Sequence, residues 1–254
     1  GLKLLHVDRS ISGNKPNQKL IELANSSFFE KVHVKYVILQ NVERSFNKRL
    51  KKLDFDKKQI ISNLERKIKS QKNKQIDRKI NFFSDALIKI PLTNILYNFK
   101  NKPLDSQTHK VKLDEDDLFT NNPDHLLFYQ NDITKMAEKN SRSTTKKSVK
   151  NLNKIGSKLA KKGIKLIVLV APDKYDVYYD HILNKPKFPK PLFFNHYNSF
   201  SKSYIDIPAI KILKKRMESK KNIYYYDDTH WSPEAAQYIS NDIKKKIART
   251  ENLY

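Results

Sequence analysis

The run Tyr224-Tyr225-Tyr226-Asp227-Asp228-Thr229-His230-Trp231-Ser232-Pro233 sets a carboxylate two residues before an imidazole, between an aromatic stretch and a proline that can open a helix. A carboxylate hydrogen-bonded to one ring nitrogen fixes the histidine tautomer and stabilises the imidazolium, leaving the other nitrogen free to take a proton from a nucleophile. General-base action of this kind contributes roughly 10² to 10⁴ in rate. The competing reading is an aspartate that caps a loop and a histidine packed beside Trp231. For an isolated Asp-x-His that structural role is the commoner one.

The flanking residues predict how such a pair would be held. Ile223 to Tyr226 suits a strand by its aromatic and β-branched content. Ser232 can cap a helix, and Pro233 is pre-set for its first position. Ala235, Ala236, Ile239, Ile243 and Ile247 then recur at helical spacing and predict a buried helical face. Asp228 and His230 are therefore expected in a tight strand-to-helix connection, and in an open α/β sheet the crevice beyond the carboxyl ends of the strands is where ligands bind.

Upstream, the chain alternates between strand and helix signals. Leu2 to Val7 reads as a strand, Pro16 to Ser26 carries Leu20, Ile21, Leu23 and Ala24 as a helical stripe, and Lys35 to Gln40 is a continuous apolar strand. Val149, Leu152, Ile155 and Leu159 mark a helix ended by Gly163, which leads into the strand Ile164 to Val170. Uninterrupted apolar strands are typical of parallel sheets covered on both faces, so the pattern predicts an α/β fold with helices on either side. His125 to Tyr129 reads as a further short strand, with His125 structural. An insertion over about 47–115 holds the densest run of lysine and arginine, at 48–80, where Ile61, Leu64 and Ile68 outline a solvated amphipathic helix. A second apolar patch follows from Phe82 to Leu92.

Composition narrows the function. The 254 residues fit one domain near the upper size of a single core, and the hydrophobic fraction is a modest 38%. The formal charge is +24, from 51 Lys and Arg against 27 Asp and Glu. That excess reads first as a lysine-rich background, next as affinity for an acidic glycan or lipid surface, and last as nucleic-acid binding, for which no motif is present. With no cysteine there are no disulfides and no Cys-ligated metals. No run of 18 apolar residues occurs that could span a membrane. Asp114-Glu115-Asp116-Asp117 lacks the glycine and spacing of a calcium loop and reads as a solvated turn, so neither metal nor organic cofactor is expected.

Three blocks of the chain carry a family resemblance. Asp227 to Tyr238 is similar to the D-T-H-W motif of the SGNH-type polysaccharide O-acetyltransferases, the alginate-acetylation proteins and relatives encoded beside membrane-bound O-acyltransferases. Gly163 to Tyr178, with Pro172-Asp173-Lys174 and a following tyrosine, is similar to that family's strand ending in P-x-K. Tyr36 to Phe46 resembles its V-E-R-S strand end. The family's nucleophile lies in a G-D-S tripeptide, which does not occur here. Ser10 and Ser12 are the nearby substitutes, but Arg9 and Ile11 do not suit a nucleophile elbow, which needs small flanking residues.

The resemblance implies a single SGNH-hydrolase-like (flavodoxin-like) three-layer α/β/α domain over 1–254, with its first strand and its serine expected upstream of Gly1. It implies O-acetyl transfer to, or removal from, an exported or cell-surface polysaccharide. His230 would be the general base and Asp228 its orienter, with Arg44, Lys174 and Tyr178 as candidate substrate-binding groups on the same rim. Arg44 is open to a bracing role against Glu43 or a neighbouring acid, and Tyr178 to simple packing. Asn195, His196 and Tyr197, after the proline-rich segment Lys185 to Pro191, are expected as a mobile rim. Further implications are a periplasmic or envelope location, a polysaccharide substrate, and a membrane-bound O-acyltransferase as acetyl-donor partner. Two other functions stay open: a non-catalytic polysaccharide- or nucleic-acid-binding module, and a lipase or thioesterase of the same fold.

Overall fold

The structure, a computed structural model, describes residues 15–58, 108–115, 117–121 and 124–251, with single positions 7, 12, 13, 62 and 66. Leu2 to His6 of the expected first strand, most of the basic helix at 48–80, the apolar patch at 82–92, Ser10 and Asp116 lie outside the described residues. In chain order the elements are α1 (Pro16–Ala24), α2 (Phe28–Val32), β1 (Tyr36–Val42), α3 (Glu43–Leu50), β2 (Thr108–Lys112), β3 (His125–Tyr129), α4 (Gln130–Thr134) and α5 (Met136–Lys139). They continue with α6 (Arg142–Ala160), β4 (Lys165–Ala171), α7 (Lys174–Tyr178), α8 (Phe193–Asn198), β5 (Ile205–Ile207), α9 (Ala209–Met217) and α10 (Pro233–Glu251).

Among the described residues, β1, β4 and β5 form a parallel sheet in the order β1-β4-β5. Strand β4 is apolar along its length because it is covered on both faces. Its side chains alternate between two cores, as a period of two requires. Leu166, Val168 and Val170 face a core with α1, α2, α3, α6 and α8, which contribute Ile21, Phe28, Phe46, Leu152 and Phe193. Ile167 and Leu169 face the other, built from Val177 of α7, Leu213 of α9, Ile239 of α10 and the β2–β3 pair. The result is the three-layer α/β/α arrangement.

Local chemistry sets the element ends. The Ser141 hydroxyl accepts from the Thr144 amide at the start of α6. After α6 the backbone turns through Gly163 at φ 71°, a left-handed conformation that a side chain would strain. That turn feeds Ile164 directly into β4. Pairing of β1 with β4 keeps register to the last residues, Val42 opposite Ala171. Glu43 and Arg44 therefore emerge beside Asp173 and Lys174, which is the geometric basis of the site.

Two expectations are corrected and one is met. Ile223 to Tyr226 does not form a strand of the sheet; only Tyr224 pairs, in an isolated bridge with Trp231 that closes a loop. The sheet's third strand is instead the three-residue β5. His125 to Tyr129 is a strand, as expected; it pairs antiparallel with β2, which lies in what reads in sequence as an insertion, to form a separate two-stranded sheet. Finally, the predicted mobile rim is folded: Tyr197 lies buried in α8, stacked on Phe193, with its hydroxyl donating to Asp206 at 2.6 Å.

Candidate active site

The Asp228–His230 loop is shaped by its own backbone. The Tyr224–Trp231 bridge closes it, the Tyr225 amide donates to the His230 carbonyl at 3.1 Å, and the Ser232 amide donates to the Ile223 carbonyl at 2.9 Å. Ser232 then caps α10 through the Ala235 amide at 3.2 Å. Within the loop, the Asp228 carboxylate accepts from the Thr229 amide, from the His230 amide at 3.2 Å and from His230 Nδ1 at 2.7 Å. Partial burial pushes the Asp228 acid upward, but the His230 ring and these amides outweigh it and hold the group below its ordinary value. An ionised Asp228 places the neutral ring's proton on Nδ1. Nε2 is then the basic nitrogen, on a side chain that is 78% exposed. Among the described residues no hydroxyl hydrogen-bonds Nε2; Ser12 donates to the Gly13 carbonyl.

Lys174 holds the loop from beneath. Its side chain is almost wholly buried, and its amine donates to the carbonyls of Tyr225 at 2.8 Å, Tyr226 at 2.5 Å and Asp228 at 3.3 Å. Burial drives its pKa down to about 7, against the pull of Asp227, Asp228 and Asp132. The three carbonyls replace the water an ammonium would otherwise bind, so Lys174 stands as a positioning group of the loop rather than at a surface open to ligand.

Between the ends of β1 and β4 lies a buried array of charges. Lys139 Nζ sits among three carboxylates, 3.0 Å from Glu43, 2.9 Å from Asp173 and 3.0 Å from Asp176. The three acids are spaced closely enough to share one cation, and the lysine ammonium is that cation here. Arg44 pairs through Nη1 with Asp132 and through Nε with Asp173, both at 3.0 Å, and stacks over the Tyr129 ring at 5.3 Å. Its bracing partners are thus neighbouring acids, while Glu43 instead accepts from the Asp173 amide at 3.0 Å. Four acids face two bases. Burial, with mutual repulsion, accordingly raises Glu43 well above its ordinary value, Asp132 to about 7, and Asp176. Arg44 is the one member with substantial solvent contact, 22% of its side chain, whereas Asp132 has none.

Tyr178 faces the interior. Its ring stacks on Phe119 at 5.3 Å and its hydroxyl accepts from the Tyr224 amide at 3.3 Å; burial raises its pKa. Tyr224 in turn donates its hydroxyl to the Pro172 carbonyl at 2.7 Å, which ties the loop to the end of β4. Asp132 and Lys139 escape a sequence reading, since charged residues on short polar helices look solvated.

Thus Lys174 sits against the loop that carries Asp228 and His230, Arg44 pairs with Asp173, the residue before Lys174, and of these side chains His230 and Asp228 are the most open to solvent, Arg44 less so. Among the described residues no helix is long and apolar enough to cross a membrane. No curated protein and no solved structure matches the chain. The family described as "SGNH hydrolase-like domain, acetyltransferase AlgX" matches residues 120–254, just over half the chain, including β4, the Asp173–Lys174 turn and the Asp228–His230 loop. With that match lying over a parallel three-layer sheet, the chain belongs to the SGNH hydrolase-like family of the acetyltransferase AlgX.

Proposed function

We propose that this domain belongs to an enzyme that moves acetyl groups on an exported or cell-surface polysaccharide by a Ser-His-Asp mechanism. His230 Nε2 takes the proton of a serine hydroxyl as its oxygen attacks the acetyl carbonyl carbon, and returns it to the departing alcohol. Asp228 holds the ring in the required tautomer and stabilises the imidazolium. A sugar hydroxyl or water then repeats the cycle on the acetyl-serine, giving transfer or hydrolysis respectively. The serine of this mechanism comes from outside the described residues.

The observation carrying this reading is the 2.7 Å contact of Asp228 with His230 Nδ1, on a loop held at the carboxyl ends of the sheet, with the ring otherwise open to solvent. Arg44, fixed by two buried carboxylates and partly exposed, supplies a preorganised donor for a substrate oxygen. Action outside the cytoplasm, and a membrane-bound O-acyltransferase as acetyl donor, follow from the same proposal. In the full-length protein, Asp228→Asn should lower acetyl turnover about 10² to 10⁴-fold while polysaccharide binding persists. Binding with no turnover in either form would instead favour the non-catalytic reading. Binding lost steeply with added salt would indicate a phosphate-backbone partner.

A further inference from the structure

A second acid-imidazole pair lies behind the loop. His125, the first residue of β3, has Nδ1 2.6 Å from Asp124 Oδ1, and its Nε2 lies 2.7 Å from the hydroxyl of Tyr226. Hydrogen bonding to His125 holds the Asp124 carboxyl below its ordinary value, so the acid is ionised and accepts from Nδ1. In the neutral ring Nε2 is then an acceptor, and Tyr226 donates to it. The Tyr226 ring also meets the His125 ring and Phe119 edge to face, both at 5.9 Å.

Tyr226 is therefore gripped at both ends. Its carbonyl takes the Lys174 amine from the sheet side, and its hydroxyl is fixed from the two-stranded sheet. Two residues later comes Asp228. The loop lacks a ladder of its own beyond one bridge, so side-chain anchors such as these two, one from the turn after β4 and one from β3, help to decide where it stands.

We infer that the Asp124–His125–Tyr226 chain is a positioning device for the Asp228–His230 pair, linking β3 to the loop so that the His230 ring keeps its contact with Asp228. The inference rests on the reading of Asp228 and His230 as the acid-base pair only for its functional meaning. Its structural content is tested without turnover.

Three variants separate the roles. Tyr226→Phe keeps both ring contacts and removes only the hydroxyl. His125→Leu removes the acceptor, and His125→Gln restores one near the Nε2 position. Amide hydrogen exchange at Tyr225 and the imidazole ¹⁵N shifts of His230 are read in each. Tyr226→Phe and His125→Leu should speed Tyr225 exchange about tenfold, the size of one net hydrogen bond, and move the His230 shifts toward a mixture of tautomers. His125→Gln should recover most of both. Unchanged exchange and shifts in the first two variants would overturn the inference, as would acceleration matched at the Val168 amide of β4, which would mean general destabilisation. If these signatures appear while Asp228→Asn leaves turnover intact, the anchor stands and the catalytic assignment falls.

Discussion

Replacing Lys139 by methionine keeps the length of the side chain and removes the ammonium that three carboxylates share at 2.9 to 3.0 Å. Glu43, Asp173 and Asp176 are all nearly or fully buried, so water cannot take its place. Breaking a buried ion pair by deleting one partner costs about 3–5 kcal/mol, most of it from the uncompensated charge left behind. For a chain of this length each kcal/mol shifts Tm by about 2–4 °C, so a fall on the order of 10 °C is expected near neutral pH. The sign with pH is fixed by the direction of the shifts. Glu43 and Asp176 have folded values above their unfolded ones, so their contribution is complete below the ordinary carboxylate range and is lost as pH rises through the folded values. Without Lys139 those values climb further, so the deficit should shrink on acidification, when protons replace the ammonium. Thermal unfolding followed by circular dichroism at pH 5 and pH 7.5 reads both effects. A variant melting within about 2 °C of wild type at pH 7.5, or a deficit equal at both pH values, would refute the reasoning.

Other outcomes follow from the same geometry. Asp132, raised from 3.8 to about 7, takes up a proton in the folded state between those values, so wild-type stability should rise relative to Asp132→Asn as pH falls from 8 to 5, in urea titrations at each pH. Lys174, lowered from 10.5 to about 7, acts with the opposite sign: its contribution grows as pH climbs from about 7 to 10.5, and Lys174→Met should flatten that rise. Lys174→Met should also cut acetyl turnover by at least about tenfold through the loosened loop, a size set by the charged hydrogen bonds lost. Arg44→Lys, which cannot span Asp132 and Asp173 in two directions at once, should raise KM more than it lowers kcat if the guanidinium binds substrate.

Much of the frame was legible because it obeys simple rules. Strand β4 is a continuous apolar run, Gly163 is the helix stop before it, and Ser232-Pro233 opens α10 with Ala235 and Ile239 inward. The reading failed where tertiary demands overrode local preference. Ile223 to Tyr226 has strand propensity, yet the carbonyls of Tyr225 and Tyr226 are committed to Lys174 and the chain turns back on itself so that Tyr224 meets Trp231, and a single bridge is all that forms. Strand β5 is three residues long, too short to show alternation, and Tyr197 looked like a surface aromatic because nothing local announces its bond to Asp206. In the site, Asp228, His230 and Arg44 are candidates that spacing and resemblance single out. Asp132 and Lys139 are not, because hydropathy treats charges as solvated and only the fold brings four acids around two bases.

The central claim is that His230 is the base of an acetyl-transferring site. It is tested most directly by comparing wild type with His230→Ala, both as full-length protein, for release or transfer of acetyl from an acetylated polysaccharide. The account predicts turnover lower by about 10² to 10⁴ with an unchanged melting temperature, because the ring is mostly exposed and bears no packing load. Turnover close to wild type in the alanine variant would contradict it.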